Sequence, residues 1–457
     1  MKRGGVISKR FLKSIRNIVG KENLLTNEVS RYSHSYDATT LSYMPDAVVI
    51  IKRLNDIDKI ISLANEVGFY IIPRGSGTGM TGGALPTGGG LVLVLDRLNK
   101  HRFIFNHLPY IETEPGTLTS DIQNTAQLYH YFYPPDPASQ EYSTIGGNVA
   151  EGAGGPHGLK YGTTRDYILY MDVVTGNGKN LTLTRGKDDN IIDLFCGSEG
   201  TLGIIKTIGL GVLPEPEEHS TVMFVFKSVS DAMRTVSSII REGVVPSKLE
   251  FMDEYSIKAI KRYKDPGVGE GNSVVLLEAD GYPKEVKKAV SEAEKIARSE
   301  GAVEVQKART ESEEDLLWEI RRNISPALSL FGPYKVNEDI TVPPDMLVNT
   351  IEKIHHISER YGVFVACFGH IGDGNIHTNI MCDKRDKELM KRVWDAVSEI
   401  FRFVIDIGGT ISGEHGIGIT KQSYLRIEKS RVEIDVYKKI KLLFDPMGIM
   451  NPGKIFT

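Results

Sequence analysis

The sequence predicts an α+β protein of two or three domains, and three observations lead to this fold class. The chain has 457 residues, which is too long for one small hydrophobic core. Three glycine-rich segments lie in its first half, each next to the end of a predicted strand or helix. From Ser220 onward the glycine clusters give way to strands that alternate with long charged helices, which is typical of an α+β substrate or cap domain.

Composition and charge exclude several classes of protein. Apolar residues make up 40% of the chain and charged residues 25%, as in ordinary soluble proteins, and a net charge of −4 gives no electrostatic reason to expect nucleic acid. No apolar run approaches the roughly 18 residues of a membrane span. The three cysteines form no CxxC pair, so we predict no disulfide framework, no iron–sulfur cluster within the chain and a cytoplasmic location: Cys196, Cys367 and Cys382.

The N-terminal segment, residues 1–40, is predicted to be helical and begins with a basic stretch. Apolar residues recur there at intervals of four: Ile7, Phe11, Ile15 and Val19. Two interpretations stay open. The helix rests on a membrane or serves targeting, or it is a first helix packed on the domain.

The first glycine-rich segment, Arg74–Gly83, follows a predicted strand–helix–strand unit. The unit consists of a strand at 47–52, a helix from an N-cap at Asn55 or Asp56 to about Val67, and a strand at 69–73. A glycine loop after a strand exposes backbone N–H groups to a phosphate. It is not a Walker A loop, and no helix follows it as a dinucleotide fingerprint requires. We interpret it as a pyrophosphate site; the alternative is a glycine-rich surface loop.

The second and third glycine-rich segments cover residues 144–155 and 197–205. Short strands at 91–96, 102–105 and 110–114 and a helix at 117–130 precede the second. A strand at 171–174 and a hairpin into 180–184 precede the third. Three such segments fit a large extended ligand, and a dinucleotide such as FAD has that size, whereas a mononucleotide would need one loop.

The second half brings two histidines and an amide together. Strands are predicted at 221–226 and 274–278, and helices at 283–300, 311–330 and 345–361. Apolar runs at 363–368 and 375–381 then predict two strands joined by a tight turn, Gly372–Gly374. His370 and His377 should therefore lie close together, with His377 and Asn379 on one face of a strand.

Glu414 adds a carboxylate oxygen to these two imidazoles, which makes a ligand set for Zn²⁺ or Mn²⁺ with open positions. His415 is then left to act as a base. The alternatives are two separate histidines in a loop-rich region and a Glu–His pair without a catalytic role. The surrounding glycines favour function, because they permit close approach to a ligand: Gly408, Gly409, Gly413, Gly416 and Gly418.

Arg321 and Ser325 are four residues apart in the predicted helix 311–330 and would share one of its faces. An arginine that faces inward could bind a carboxylate with two hydrogen bonds. The alternative is a solvated helix face.

Eight stretches occur together in this order: Arg74–Gly83, Pro134–Pro137, Ile145–Asn148, Lys160–Gly162, Gly197–Ile205, His370–His377, Gly413–Gly418 and Asn451–Lys454. With them the chain resembles the FAD-dependent 2-hydroxy acid dehydrogenases of the vanillyl-alcohol-oxidase superfamily, the group of the glycolate oxidase flavoprotein subunit, D-lactate dehydrogenase and D-2-hydroxyglutarate dehydrogenase. The resemblance implies a two-subdomain FAD-binding domain at 41–216. It also implies a C-terminal antiparallel-sheet cap domain with helices at 217–457, which carries the metal site and closes on FAD.

The resemblance also implies which residues bind FAD. Some relatives hold flavin covalently through a histidine in the first loop; Gly75–Gly79 contains none, so non-covalent FAD is expected. The implied FAD residues are Arg74, Gly75, Ser76, Gly77, Thr78, Gly79, Thr81, Gly82, Pro135, Asp136, Ser143, Thr144, Gly146, Gly147, Asn148, Ala153, Gly154, Tyr161, Gly162, Glu199, Gly200, Gly203, Ile204, Ile205 and Asn451.

The remaining site residues follow from the same resemblance. It places the metal ligands on His370, His377 and Glu414, the base on His415, and the carboxylate-binding arginine on Arg321; Asn379 and Ser325 are added as substrate contacts. The substrate hydroxyl would lose its proton to His415 while the Cα hydrogen leaves as hydride to flavin N5. Electrons would pass to an external acceptor, namely an iron–sulfur partner subunit, an electron-transfer flavoprotein or a quinone. A homodimer, and attachment to the inner face of the membrane through the partner, are compatible with this assignment.

One departure concerns the substrate. The 2-hydroxyglutarate enzymes carry a lysine just before the segment that is Asp339–Pro343 here, whereas this chain has Asn337 and Glu338, with Lys335 out of register. We therefore favour D-lactate or glycolate over D-2-hydroxyglutarate. Three other functions fit only parts of the pattern: an ether-lipid synthase that uses FAD without net redox chemistry, a metal-dependent hydrolase and a non-catalytic electron carrier.

Overall fold

The structure is a computed structural model that describes residues 8–264, 268 and 272–456. The chain forms two compact units from non-contiguous segments. The first unit contains the described residues up to Gly154, Thr163–Glu215 and those from Glu414 onward; the second contains Gly155–Gly162 and Pro216–Gly413. This division differs from a single cut at residue 216, because the C-terminal segment returns to the first unit and a short stretch of the first half joins the second.

The described chain contains both helices and strands throughout, and several strands or helices follow one another directly. The helices are α1 (Lys9–Val19), α2 (Glu28–Tyr32), α3 (Leu54–Val67), α4 (Thr119–Gln127), α5 (Ile145–Glu151), α6 (Gly158–Tyr161), α7 (Asp189–Phe195), α8 (Val229–Arg241), α9 (Glu254–Tyr263), α10 (Pro283–Ser299), α11 (Glu311–Arg322), α12 (Ile324–Leu328), α13 (Leu347–Tyr361), α14 (Lys387–Asp406), α15 (Leu425–Glu428) and α16 (Arg431–Phe444). Short 3₁₀ segments lie at Thr164–Tyr167, Ser329–Phe331, Pro344–Met346 and Ile371–Asp373. The strands are β1 (Leu24–Leu25), β2 (Ala47–Ile50), β3 (Ile71–Arg74), β4 (Leu91–Val94), β5 (His101–Ile104), β6 (Tyr110–Thr113), β7 (Tyr131–Phe132), β8 (Ile168–Thr175), β9 (Asn180–Thr184), β10 (Gly203–Gly211), β11 (Leu213–Pro214), β12 (Glu218–Phe226), β13 (Lys248–Met252), β14 (Ser273–Gly281), β15 (Glu304–Lys307), β16 (Tyr334–Thr341), β17 (Phe364–His370) and β18 (Asn375–Cys382).

The first unit contains a small sheet of order β1-β2-β4-β3, in which β2, β4 and β3 run parallel. β2 and β4 are short apolar runs and are almost fully buried, as expected for central parallel strands. The crossover helix α3 ends at Gly68, which adopts φ 70°. The predicted N-cap of α3, Asn55 or Asp56, is wrong, since the helix begins earlier with Arg53 in that position and without a side-chain cap.

The helix α1 packs into the core of the first unit, so the second interpretation of the N-terminal segment is the one that the structure supports. Phe11, Ile15 and Val19 are buried beside residues of β2, α3 and β4. Ile7 lies outside the described residues. Within the described residues, no helix combines the length and the apolar character that crossing a membrane requires.

An antiparallel sheet of order β5-β6-β10-β8-β9 belongs to the first unit, together with a two-stranded sheet of β7 and β11. Its core joins residues of β6, α5 and β10, including Ile111, Ile145 and Leu210. The first glycine-rich segment begins at the end of β3, the second contains α5, and the third runs into the start of β10.

The second unit is built on one seven-stranded antiparallel sheet of order β15-β12-β14-β13-β17-β18-β16. Helices α8 and α10 pack near β12 and β14, and α13 packs near β17. Its core includes Met252, Leu276, Ile320 and Phe368. The antiparallel cap sheet that the resemblance implied is present, and the five-residue strand β13 was not predicted.

The predicted helix 311–330 is interrupted. α11 ends at Arg322 and α12 begins at Ile324, with Asn323 between them. Pro326 has no N–H to donate to the carbonyl of Arg322, and its ring would clash with that carbonyl in a continuous helix. The helix must therefore restart before Pro326.

The ion pair of His355 with Asp253 predicts a pH-dependent stability of the second unit. Nε2 of His355 lies 3.0 Å from the buried carboxylate of Asp253. Burial lowers the pKa of His355, but the hydrogen bond and the charge of Asp253, with Glu254 and Glu359 nearby, raise this pKa above its ordinary value of 6.5. The contribution to stability is therefore complete below the unfolded-state pKa and is lost as pH rises through the higher folded-state pKa. We expect His355→Gln to lower the free energy of unfolding more at about pH 6 than at about pH 9.

Urea unfolding at both pH values measures this difference. His356→Gln, on the same helix, is the matched control and should change little at either pH. An equal loss for His355→Gln at both pH values would contradict the charged-pair interpretation.

Candidate functional site

Two buried histidines face each other on the sheet of the second unit. His370 ends β17, His377 lies in β18, and their ring centroids are 5.2 Å apart. The connecting turn needs Gly374, which has φ 80° and whose Cβ would meet the carbonyl oxygen of Val342 at 2.1 Å. The structure thus brings together the two histidines that the sequence paired.

Glu250 connects His370 to Arg321, and the sequence had not revealed it. It lies in β13 opposite His370 in the ladder. One carboxylate oxygen bonds Nδ1 of His370, and the other accepts a hydrogen bond from Nε of Arg321 at 2.5 Å. The side chain is 0% exposed. Burial alone would raise its pKa, but the charges of Arg321 and His370 lower the pKa of Glu250 to about 2. Glu250 is therefore an anion that orients both partners.

Arg321 is held between this carboxylate and an aromatic ring. Its guanidinium carbon lies 4.7 Å from the ring centroid of Phe368, and its side chain is 17% exposed. Nε is bound to Glu250, and neither Nη atom forms a hydrogen bond within the described part of the chain. The two Nη atoms therefore offer donors that suit a small carboxylate.

Ser325 lies in α12 and Arg321 in α11, and Asn323 separates the two helices. Ser325 is exposed, and its hydroxyl accepts a hydrogen bond from Nζ of Lys335 at 2.8 Å. Burial lowers the pKa of Lys335. Ser325 thus contacts β16 through Lys335, and the face that it shares with Arg321 stays a prediction.

Asn379 follows His377 by two residues in β18 and is 0% exposed. Its side-chain oxygen accepts a hydrogen bond from Nδ2 of Asn337 at 2.8 Å, and its own Nδ2 donates to the carbonyl of His377 at 3.1 Å. The amide is therefore fixed in orientation on the same side of the strand as His377.

Asp339 binds the last residue of the second unit, Gly413, through a hydrogen bond. It lies opposite His377 in the ladder, is buried, and accepts the backbone N–H of Gly413 at 2.7 Å. Gly413 is the last residue of the second unit, and Glu414 and His415 follow directly in the first. The chain therefore leaves the polar face of this sheet immediately before the predicted third metal ligand and the predicted base.

The first glycine-rich segment, in the first unit, packs on the buried Arg74. A Cβ at Gly77, which has φ 76°, would meet Nη2 of Arg74 at 2.1 Å. Nη2 donates to the carbonyl of Tyr36 at 2.9 Å, while Nη1 is buried without a hydrogen-bond partner among the described residues. A buried orphan donor beside a glycine loop fits a polar ligand group that the loop would hold.

The second glycine-rich segment contains a short helix, α5, which the sequence pattern did not predict. Thr144 is its N-cap, and its hydroxyl accepts the N–H of Gly147 at 3.4 Å. A Cβ at Gly75 would meet that hydroxyl at 2.2 Å, so the first two segments are in contact. Nδ2 of Asn148 donates to Oγ1 of Thr119 at 2.7 Å, which turns this predicted FAD residue toward a neighbouring side chain of the unit.

Asn451 ties the first segment to the third. Its Nδ2 donates to the carbonyls of Gly83 at 2.8 Å and Glu199 at 2.7 Å. A Cβ at Gly200 would meet the ring of Pro73 at 2.6 Å. The three segments thus lie together in one unit, as a single extended ligand requires.

Two predicted FAD residues, Tyr161 and Gly162, belong to the second unit, and all the others belong to the first. The hydroxyl of Tyr161 donates to Asp280 at 2.8 Å, and Lys160 pairs with the same carboxylate. Gly162 caps α6. The side chain of Tyr161 is therefore engaged within the sheet of the second unit.

Glu250 could have been found from one sequence signal. The run Lys248–Met252 places a glutamate between Leu249 and Phe251, and a charged residue inside a short apolar strand is stable when paired. The identity of its partners, more than 70 positions away, is not a local property of the sequence.

Two family comparisons match most of the chain. Residues 215–455 match the family of FAD linked oxidases, C-terminal domain, and residues 45–184 match the FAD binding domain family. The chain is 39% identical to the glycolate oxidase subunit GlcD of Bacillus subtilis, over 99% of this chain and 98% of that protein. It is 29% identical to D-lactate dehydrogenase of Anaerostipes hadrus, over 98% of each chain.

A solved structure has a similar fold. Crystalline p-cresol methylhydroxylase with bound substrate superposes with a TM-score of 0.81 at 14% identity, covering 99% of this chain and 98% of the other. At this identity the likeness concerns the fold alone. The predicted fold class, a two-subdomain FAD-binding domain with an antiparallel-sheet cap domain, is confirmed.

Proposed function

The chain belongs to the family of FAD-linked oxidases and is an FAD-dependent 2-hydroxy acid dehydrogenase, and we propose that D-lactate or glycolate is its substrate. The product would be the 2-oxo acid, with electrons passed to an external acceptor. The observation that carries the proposal is the buried carboxylate of Glu250, which holds His370 and Arg321 side by side. An imidazole and a guanidinium fixed together suit a small anionic hydroxy acid.

The first unit would hold FAD non-covalently. The contacts among the three glycine-rich segments and the orphan Nη1 of Arg74 support this fit. Gly75–Gly79 would face the pyrophosphate with its backbone N–H groups. FAD, when bound, supplies the two-electron acceptor for the hydrogen on C2 of the substrate.

His370, His377 and Glu414 would hold a divalent ion, Zn²⁺ or Mn²⁺. The support is the donor set. His370 uses Nδ1 on a buried carboxylate, which is the usual outer partner of a metal-binding histidine and would make Nε2 its ligand atom. Glu414 is included because it directly follows Gly413. The N–H of Gly413 donates to Asp339, and Asp339 lies opposite His377 in the ladder. A divalent ion there would lower the pKa of the substrate hydroxyl.

The chain's own residues would then orient the substrate and move one proton. Arg321 would bind the substrate carboxylate through its two Nη atoms, since Nε is occupied by Glu250. Asn379, whose orientation is fixed by Asn337, would contact the substrate from β18. His415 would accept the hydroxyl proton as general base.

D-2-hydroxyglutarate is the second candidate, and one contact favours it. Lys335 donates to Ser325, which remains a proposed substrate residue, and burial lowers the pKa of this lysine. A second carboxylate on a longer substrate would give Lys335 an anionic partner. Asn337, at the place where the 2-hydroxyglutarate enzymes carry lysine, favours the monocarboxylates.

Anaerobic bleaching of the flavin tests the function. The purified protein should be yellow, release FAD in acid, and lose its flavin absorbance when D-lactate or glycolate is added. D-2-hydroxyglutarate and the L-acids form the comparison panel. An ether-lipid synthase, a hydrolase or an electron carrier would leave the flavin oxidised with every member of the panel.

We expect Gly77→Ala to weaken FAD binding. The change adds a Cβ 2.1 Å from Nη2 of Arg74 at a residue with φ 76°. Strain of roughly 1–3 kcal/mol corresponds to about 5- to 150-fold in Kd. Titration of the deflavinated protein with FAD measures the affinity. Gly186→Ala is the matched control, because Gly186 has φ 84° but nothing lies within 4 Å of its added Cβ. If Gly77→Ala and Gly186→Ala changed the affinity for FAD equally, the result would contradict a role of the first glycine-rich segment in FAD binding.

The electron acceptor would be an iron–sulfur subunit, an electron-transfer flavoprotein or a quinone. The three cysteines are buried and unpaired, which supports a cluster outside this chain and a cytoplasmic location. Attachment to the membrane face would then occur through the partner. Pull-down of reduced enzyme with candidate acceptors, followed by electron-transfer kinetics, tests this assignment.

A further inference from the structure

The segment His415–Ile419 is fastened to the first unit by four hydrogen bonds. The backbone N–H groups of Ile417 and Gly418 each donate to one oxygen of Glu199, both at 2.8 Å. Oγ1 of Thr81 donates to the carbonyl of His415 at 3.0 Å, and Ile419 donates to the carbonyl of Thr81 at 2.8 Å. The backbone that carries His415 is therefore held from both ends.

Glu199 is itself held in an unusual conformation. It has φ 52°, in the left-handed region that glutamate rarely adopts, and is buried. Its N–H donates to the carbonyl of Ala150 at 2.7 Å, and its carbonyl accepts from Asn451 at 2.7 Å. Strain of this kind persists where the surroundings fix it and is frequent at functional sites.

Hydrogen bonds and nearby charges both act on the buried carboxyl group of Glu199, and the carboxyl group of Glu151 lies close to it. Burial is the largest influence and raises the pKa of Glu199, and the two backbone N–H groups with the buried Lys454 and Lys421 only partly offset this rise. Both carboxylate oxygens are used by consecutive N–H groups of the segment. Each oxygen therefore accepts one backbone N–H of the segment, which fixes the orientation of the side chain against that backbone.

We propose that Glu199 is a positioning residue that fixes His415 through the backbone of Ile417 and Gly418. The proposal rests on the proposed function, in which His415 is the base. Displacement of a catalytic group by about 1 Å can reduce a rate on the order of 100-fold. Substrate binding through Arg321 belongs to the second unit and should be unaffected by the change.

Glu199→Gln is the first test, because glutamine keeps the shape but turns an NH₂ group toward a backbone N–H. We expect kcat with D-lactate or glycolate to fall roughly 100-fold per bound flavin, with little change in KM and full FAD content. The isotope effect from deuterium at C2 should rise as the chemical step becomes slower. Hydrogen exchange at Ile417 and Gly418 should accelerate.

Gly418→Ala is the second test and alters the other partner in the contact between Glu199 and Gly418. Its Cβ would meet the carbonyl oxygen of Thr81 at 2.1 Å at a residue with φ 49°. We expect the same fall in kcat per bound flavin, which is the relevant measure because Thr81 is itself a predicted FAD residue. Two controls in the first unit should leave kcat unchanged: Gly448→Ala, at φ 61° with nothing within 4 Å, and Glu112→Gln, whose carboxylate bonds Tyr170 and Arg102.

The outcomes separate this proposal from the proposed function. Unchanged kcat and unchanged exchange in Glu199→Gln would overturn the positioning role, and so would loss of FAD with normal turnover per remaining flavin. Full activity of His415→Ala would overturn the base assignment and the positioning role with it. In that case, faster exchange in Glu199→Gln would still identify the contact as purely structural.

Discussion

Replacement of His370 by alanine is expected to remove the bound metal and reduce kcat roughly 1,000-fold while FAD stays bound. A metal ion that acidifies the substrate hydroxyl contributes several kcal/mol, and each 1.36 kcal/mol is about a tenfold change in rate. The flavin loops lie in the first unit, whereas His370 lies on the sheet of the second. Metal analysis, flavin absorbance and turnover on the same sample measure the three quantities.

His356→Ala is the matched control for this change. His356 is a histidine on α13 of the same unit, outside the proposed ligand set, and its replacement should alter neither metal content nor turnover. Full activity of His370→Ala with D-lactate, glycolate and the other 2-hydroxy acids would contradict the metal role. Loss of FAD together with the metal would indicate a folding defect, which His377→Ala and circular dichroism would reveal.

Removal of Glu250 is expected to damage stability and metal binding together. Glu250→Ala leaves Arg321 without its carboxylate and His370 without the partner of its Nδ1. Breaking a buried charge pair costs about 3–5 kcal/mol, and loss of an outer partner of a metal-bound histidine weakens metal binding about 10–100-fold. Urea unfolding of the metal-free protein and metal titration measure the two effects separately.

Two further variants define what Glu250 contributes. Glu250→Gln keeps the volume and a hydrogen-bond acceptor but removes the charge, so its loss of stability should be smaller than that of Glu250→Ala. Glu254→Ala, at an exposed position in the helix that follows β13, is the control and should change little. If Glu250→Ala unfolded at the same urea concentration as Glu254→Ala, the pair with Arg321 would not be important for stability.

Local patterns predicted several elements because their causes are local. The apolar run 375–381 became the buried strand β18, and Gly374 was needed for φ 80° in the turn before it. The predicted helix 311–330 was too long, because its apolar spacing continues past Pro326 although proline interrupts a helix. The helix α5 within the glycine-rich segment 144–155 was not predicted, although Thr144 is a residue type that favours the N-cap position.

The sequence by itself determined the family, the glycine-rich segments and the two histidines, because each depends on residues that are neighbours in the chain. The tertiary structure decided how these groups are held. Glu250, Arg321 and His370 come from two strands and a helix that are far apart in sequence. Glu199 reaches Ile417 and Gly418 across more than 200 positions. Buried charges and backbone donors need partners, and only the folded chain determines which distant residue supplies each one.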